Sequence, residues 1–320
     1  MKKSVTLIVP CYNEEESLPI FYQAVCEVAH DLEDYQINML LVNDGSKDGT
    51  LAIMRELAAK DKCVKYISFS RNFGKEAAMY AGFCNADGDY AAVMDADMQD
   101  PPSLLPQMLE ILETGEYDSV ATRRVTRTGE SKIRSFFANW FYRIFNHTTD
   151  VKIVSGARDF RLMKREMVDA IVAMCEKTRF SKGIFGWIGF KTYWLPFENV
   201  ERVAGKSKWS FKKLFKYSLD GIIGFSSKPL KIPFYFGTFT ALASFAPLIY
   251  LIYHWINWGF SMGSTGITSS LILYTILAAA TLLLISLGIV GQYIAKVYDE
   301  VKGRPHYIVT QTNKKDLVNK

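Results

Sequence analysis

From Ile232 to Ala295 the chain contains no Asp, Glu, Lys or Arg. A surface in water needs charge, whereas a helix crosses the hydrocarbon core of a bilayer with about 20 apolar residues. The stretch accommodates two transmembrane helices, over 232–256 and 267–295, on either side of the turn-rich break Asn257-Trp258-Gly259-Phe260-Ser261-Met262-Gly263-Ser264. Lys228 and Lys231 precede the first span, Lys296, Lys302 and Arg304 follow the second, and the connecting loop has neither Lys nor Arg. The positive-inside rule therefore places both ends in the cytosol and the loop outside. Lys2-Lys3 leads directly into an apolar strand, so no signal peptide is expected.

The residues before this stretch alternate between strand and helix patterns. Val5–Pro10, Ile37–Val42, Val64–Phe69 and Tyr90–Met94 are short apolar runs, and helical patterns over 14–32, up to Lys60 and over 75–86 separate them. That order predicts an α/β domain with a mostly parallel sheet and helices on both faces. No G-x-G-x-x-G follows the first strand, which argues against a dinucleotide-binding dehydrogenase. Cys11, Cys26, Cys63, Cys84 and Cys175 form no C-x-x-C pair and lie in the cytosolic part, so they are expected to be reduced. The histidines are scattered, and no zinc, haem or Ser–His–Asp constellation is legible.

Polar clusters follow three of the strands: Pro10-Cys11-Tyr12-Asn13-Glu14-Glu15, Asp44-Gly45-Ser46 and Asp95-Ala96-Asp97. Open α/β sheets bind ligands at the C-terminal edge of their strands, so the three clusters predict one crevice. Asp95 and Asp97, with Gln99 near, offer hard oxygen ligands for a divalent metal whose other ligand is a nucleotide diphosphate. Lys75, at a helix start, faces either that diphosphate or solvent.

VPCYNEEES, VNDGSKDGT, SRNFGKEAAMYAG and DADMQDPP, followed by VSGARDFRLM, TRFSKGIFGWIGF and AGKSKWSFKKL, resemble family 2 glycosyltransferases of the GT-A fold. The resemblance covers nearly the whole chain and is closest to GtrB-like polyprenyl-phosphate glycosyltransferases and dolichol-phosphate mannose synthases. It implies a nucleotide-sugar site at Pro10, Tyr12, Glu14, Asp44, Ser46, Lys75, Asp95 and Asp97, with Tyr12 stacking on the base and Asp44 and Glu14 accepting from base or ribose. It implies a Mg2+ or Mn2+ cofactor on Asp95, Asp97 and Gln99. Asp97 and Asp159 are then the catalytic acids, Asp159 on the acceptor side. Asn43 departs from the family's usual Asp at that position. An ion pair of Asp159 with Arg158 or Arg161 is the alternative reading of that motif. An anionic acceptor needs cations, for which Arg123, Arg134, Arg161, Lys206 and Lys208 are the candidates.

Residues 1–205 are thus expected to form a cytosolic GT-A domain, 206–231 an amphipathic juxtamembrane helix, and 296–320 a cytosolic tail. Phe211, Leu214, Phe215, Ser218, Leu219, Ile222 and Ile223 fall on one face of that helix, flanked by lysines, as suits an anionic leaflet. A similar stripe over 132–146 suits core, oligomer or membrane contact. The expectation is an inverting enzyme of the bacterial cytoplasmic membrane, expected as a homo-oligomer. It moves glucose or N-acetylglucosamine from a UDP-sugar to undecaprenyl phosphate and has no nucleic-acid partner. A processive polysaccharide synthase is disfavoured by two spans and no Q-x-x-R-W motif, and a non-catalytic scaffold by the intact acids.

Overall fold

The computed structural model describes residues 2–125, 132–198, 211–243 and 265–318 and positions 249, 253 and 256, the side chains of 132–139, 211–216, 241, 243, 265–271 and 274 excepted. Two compact units emerge. Residues 1–221 and 303–320 form the first, and 222–302 the second.

The first unit is built on strands β1 (Lys3–Cys11), β2 (Tyr35–Asn43), β3 (Val64–Phe69) and β4 (Tyr90–Val93), which pair in parallel. Near-continuous apolar sequence is what a strand covered on both faces requires. Helices α1 (Leu18–Asp31), α2 (Thr50–Lys60) and α3 (Lys75–Asn85) make the crossovers. On one face Val5, Leu7 and Val9 pack with Leu18 and Phe21 of α1, Met54 of α2, and Met108 and Leu112 of α4 (Leu105–Glu113). On the other, α3 lies close to the sheet because its inward side is small: a Cβ on Gly82 would stand 2.1 Å from Ile8 Cγ2. The helix expected from residue 14 begins at Leu18, after a turn that Glu14 holds through its carbonyl.

Beyond β4 the sheet is mixed. Strands β5 (Ser119–Arg124), β6 (Ala157–Lys164) and β7 (Thr192–Phe197) extend it, giving the order β7-β5-β6-β4-β1-β2-β3-β8. Helices α5 (Lys132–Thr148), α6 (Arg165–Ala173) and α7 (Ser181–Trp187) complete this half. The far edge is β8 (Val309–Thr312), antiparallel to β3. Residues read from sequence as a tail therefore return to the catalytic sheet. Tyr307 is fully buried and stacks on Phe69 at 4.9 Å, and Asn85 exchanges hydrogen bonds with the backbone of Val318.

Helix α8 (Phe211–Phe225) is followed at once by α9 (Lys228–Ala243), so the juxtamembrane segment is two helices, the second starting ahead of the charge-free stretch. Helix α10 (Thr265–Val301) ends the second unit. Among the described residues one helix, over Thr275–Val301, is long and apolar enough to cross a membrane. Phe234, Phe239, Leu283 and Leu287 stay 68–70% exposed, an apolar surface of the kind that marks a protein or membrane contact.

Tyr307→Ala removes a fully buried ring and should cost about 3 kcal/mol of stability. Half-exposed Ile308→Ala should be near neutral. Thermal unfolding in detergent compares the two, and equal small losses would mean that the returning segment does not hold the sheet edge.

Candidate active site

The three polar clusters meet at the C-terminal edge of the parallel strands, stitched together by their own hydrogen bonds. Asn13, at φ 52°, donates its backbone N–H to Ser46 Oγ at 2.9 Å and accepts from Lys47 N at 2.8 Å. Glu14 N donates to Thr50 Oγ1, and the Ser17 hydroxyl donates to Glu14 Oε2 at 2.6 Å. Ser46 and Glu14 thus shape the crevice as well as line it. Pro10 lies in β1, and Tyr12 is half-buried in the turn beyond.

Asp44 is buried, and its two oxygens accept from Phe73 N at 2.6 Å and Gly74 N at 2.9 Å, fixing the loop that enters α3. Gly45, at φ +64°, passes under that loop, where a Cβ would lie 2.3 Å from the Arg71 carbonyl carbon. The departure at Asn43 has a local reason: its amide donates to Ser68 Oγ at 2.9 Å while its oxygen accepts from Ser46 N. An ionised Asp has no donor to give Ser68.

Gly74, with φ +100°, delivers Lys75 into the crevice. Its ammonium lies 2.7 Å from Asp95 Oδ1 and 2.5 Å from Asp159 Oδ2. Burial works against the lysine's charge, but Asp159 and Asp95 outweigh it and hold the ammonium above its ordinary range. Burial likewise works against the Asp159 charge, and Lys75, Lys182 and Arg158 together hold that carboxyl well below the usual carboxylate range. The ion pair suggested by sequence is corrected here: Asp159 pairs with Lys75. Arg158 grips fully buried Asp100 instead, through Nε at 2.9 Å and a second nitrogen at 3.0 Å. Arg158 and Asp159 are neighbours in the chain but take different partners.

Asp97 is buried, with Oδ1 accepting from Gln99 N at 3.1 Å across Met98 at φ 61°. Asp95, Asp97 and Gln99 offer oxygen donors suited to Mg2+ or Mn2+, and a cation, the Lys75 ammonium, already rests on Asp95. These residues fit a divalent metal. Among the described residues no group of three His, Cys, Asp or Glu converges, so further ligands would have to come from a diphosphate.

Of the cations expected to meet an acceptor, Arg161 is buried. It donates to Ser119 Oγ at 3.1 Å and Thr192 Oγ1 at 2.9 Å, under the rings of Phe185 and Trp194. Burial pushes its pKa down to about 9, Asp159 opposing, so it stays charged at neutral pH. It lines a cavity of about 320 Å³ together with Lys152, Arg158, Lys182 and aromatic walls, and among the described residues no carboxylate lines that cavity. Arg123 is exposed at the end of β5. Lys206 and Lys208 lie outside the described residues, and only the helical backbone of Arg134 is described. Sequence reasoning missed Asp100, Glu76, Ser181 and Lys182, whose partners are remote in the chain.

Burial raises Asp44 to about 6 against the two N–H bonds that favour its charge. A carboxyl raised on folding contributes stability below its unfolded pKa that is lost as pH rises through the folded one. The stability of wild type relative to Asp44→Asn should therefore fall between about pH 4 and pH 6. Denaturant titrations of both proteins across that range check the sign, and a flat or rising difference would contradict it.

Glycosyl transferase family 2 matches residues 6–172. The chain is 40% identical to the putative glycosyltransferase CsbB of Bacillus subtilis over 98% of its own length and 94% of that protein. It is 38% identical to the SfII prophage-derived bactoprenol glucosyl transferase of Shigella flexneri, covering 97% of this chain and 98% of that one. The prophage bactoprenol glucosyl transferase homolog of Escherichia coli is also 38% identical, over 97% of this chain and 99% of that one. With the sheet edge and its acids in place, these matches make the chain a glycosyltransferase that belongs to glycosyl transferase family 2.

Proposed function

We propose that the protein transfers glucose from UDP-glucose to polyprenyl phosphate at the cytoplasmic face of a bacterial membrane, inverting the anomeric carbon. The observation that carries this reading is the Lys75 bridge, which brings an acid of the donor motif, Asp95, and the acceptor-side acid, Asp159, onto one cation. Glucose and the lipid follow the names of the relatives, bactoprenol glucosyl transferases.

An oxygen of the acceptor phosphate attacks the anomeric carbon from the side opposite UDP; the new C–O bond forms as the bond to the β-phosphate breaks. Asp44, Tyr12, Glu14 and Ser46 form the crevice for the nucleoside. A divalent cation on Asp95, Asp97 and Gln99, when bound, supplies a Lewis acid for the charge on the departing diphosphate. The carboxylate-free cavity beside β6, with Arg161 and Lys182, offers positive charge to the acceptor phosphate and aromatic walls to its first isoprene units. Asp159 orients the nucleophile.

Chain connectivity supports a two-span topology. The chain leaves the first unit at Gly221 and rejoins it at Gly303. A folded domain lies on one side of a bilayer, so the segment between must cross an even number of times. Helix α10 supports one crossing, and α9 with the charge-free residues to 256 supports the other.

Purified enzyme given a panel of nucleotide sugars and undecaprenyl phosphate should yield undecaprenyl-phosphate-glucose from UDP-glucose, identified by mass. A polymer, or release of free sugar alone, would refute the reading. Asp97→Ala should lower transfer about 10²–10³-fold, and excess chelator should do the same. Undiminished activity in chelator would remove the metal from the proposal. For topology, Ser261→Cys on a cysteine-free background should react with an impermeant thiol reagent in intact cells. Reaction only after lysis would overturn the two-span reading.

A further inference from the structure

Two lysines flank Asp159, and each opens a helix. Lys75 is the first residue of α3 and touches the carboxylate. Lys182 is the second residue of α7, donates to Ala157 O at 3.1 Å, and adds to the field that keeps Asp159 ionised. The neighbours of these lysines, Glu76 and Ser181, are bonded to each other. The Glu76 carboxylate accepts the Ser181 backbone N–H at 3.1 Å and also the Ser181 hydroxyl. A third donor comes from α8: Tyr217 OH lies 2.8 Å from Glu76 Oε1.

Helix α8 is seated at this point by packing as well. The Tyr217 ring lies 4.9 Å from that of Phe180, the residue just before α7. Gly221, one turn on, faces the same ring closely enough that a Cβ would stand 3.4 Å from it. Phe180 in turn contacts Phe141 and Phe145 of α5. One half-buried carboxylate therefore joins the starts of the two helices that carry the flanking lysines, and α8 supplies a further hydrogen bond to it. Burial disfavours the charge on Glu76, and the donors from Ser181 and Tyr217 oppose that, so losing one donor leaves the carboxylate under-satisfied.

We infer that Glu76 and Tyr217 are positioning residues for the transfer step, setting the spacing of Lys75 and Lys182 about Asp159, so that the site is complete only with α8 docked. The inference rests on Asp159 as the acceptor-side acid, and it is independent of which sugar and which lipid are used. A purely structural cap on α7 would instead lower stability, donor binding and turnover together.

The experiment compares full-length wild type with Tyr217→Phe, Asp159→Asn and the double variant in nanodiscs. Turnover at saturating lipid acceptor, UDP affinity by calorimetry, thermal midpoint and hydrogen exchange are measured on each. Tyr217→Phe should lower kcat about tenfold or more, since small misplacements of reacting groups have large effects on rate. UDP affinity should not change, the midpoint should fall only slightly, and exchange should rise in peptides covering α3 and α7. In the Asp159→Asn background it should add little, because the two act through one group. Glu76→Gln, which keeps one acceptor oxygen, should retain more activity than Glu76→Ala. A kcat within twofold of wild type, an equal loss of UDP affinity, or full additivity with Asp159→Asn would overturn the inference. If wild type transfers no sugar to lipid, the proposed function fails, and the exchange comparison still decides whether Tyr217 holds α3 and α7: unchanged exchange overturns the clamp.

Discussion

One buried ammonium holds the site together. Lys75 stands between Asp95, just beyond the end of β4, and Asp159 in β6, a strand antiparallel to β4. Two like charges brought this close would each disfavour the other's ionisation, and a cation between them removes that conflict. Breaking a buried pair from one side strands the remaining charge, at a cost of about 3–5 kcal/mol. Lys75 in turn depends on the α3 entry loop, which Asp44 anchors and Gly45 lets pass close by. Even Asn43 belongs to this chain of support, because its amide ties β2 to Ser68 of β3 just below the loop.

The parallel core and the crevice were legible in sequence because their signals are local. Short apolar runs at regular spacing declare buried strands, and polar residues directly after them declare the strand edge. The partners inside the crevice were not legible. Asp159 sits close to two arginines in sequence, yet Arg158 pairs with Asp100, remote in the chain, and Asp159 with Lys75. The Arg161 guanidinium reaches instead to Ser119 of β5 and Thr192 of β7. Such pairs span dozens of residues of chain and leave no trace in spacing. Strand β8 escaped for another reason: Val-Thr-Gln-Thr has little apolar content, and it is a strand only because β3 presents an open edge to it.

That edge strand also disciplines the apolar part of the molecule. Antiparallel pairing of β8 with β3, the buried Tyr307 and the Asn85–Val318 exchange bind the end of the chain to the catalytic unit. Both ends of the intervening segment are therefore fixed to one folded body. The proposed topology, in which the chain crosses the bilayer and returns, is compatible with that anchoring. The exposed rings and branched side chains of α9 and α10 form a surface bare of charge, as a bilayer-facing segment would.

The electrostatics of Asp159 bear directly on what it does. A general base works best with a pKa near the working pH. Lys75, Lys182 and Arg158 hold Asp159 far below that, against the cost of its burial, so it has little tendency to take a proton. A hydroxyl acceptor would be poorly served by such a group. A phosphate monoester is different, since its second ionisation lies near about pH 6 and the attacking oxygen arrives already charged. It needs direction and a surrounding of cations, which the Lys75 and Lys182 ammoniums and the Arg161 guanidinium supply beside the carboxylate. The depressed acidity of Asp159 is thus compatible with an acceptor oxygen that arrives already ionised.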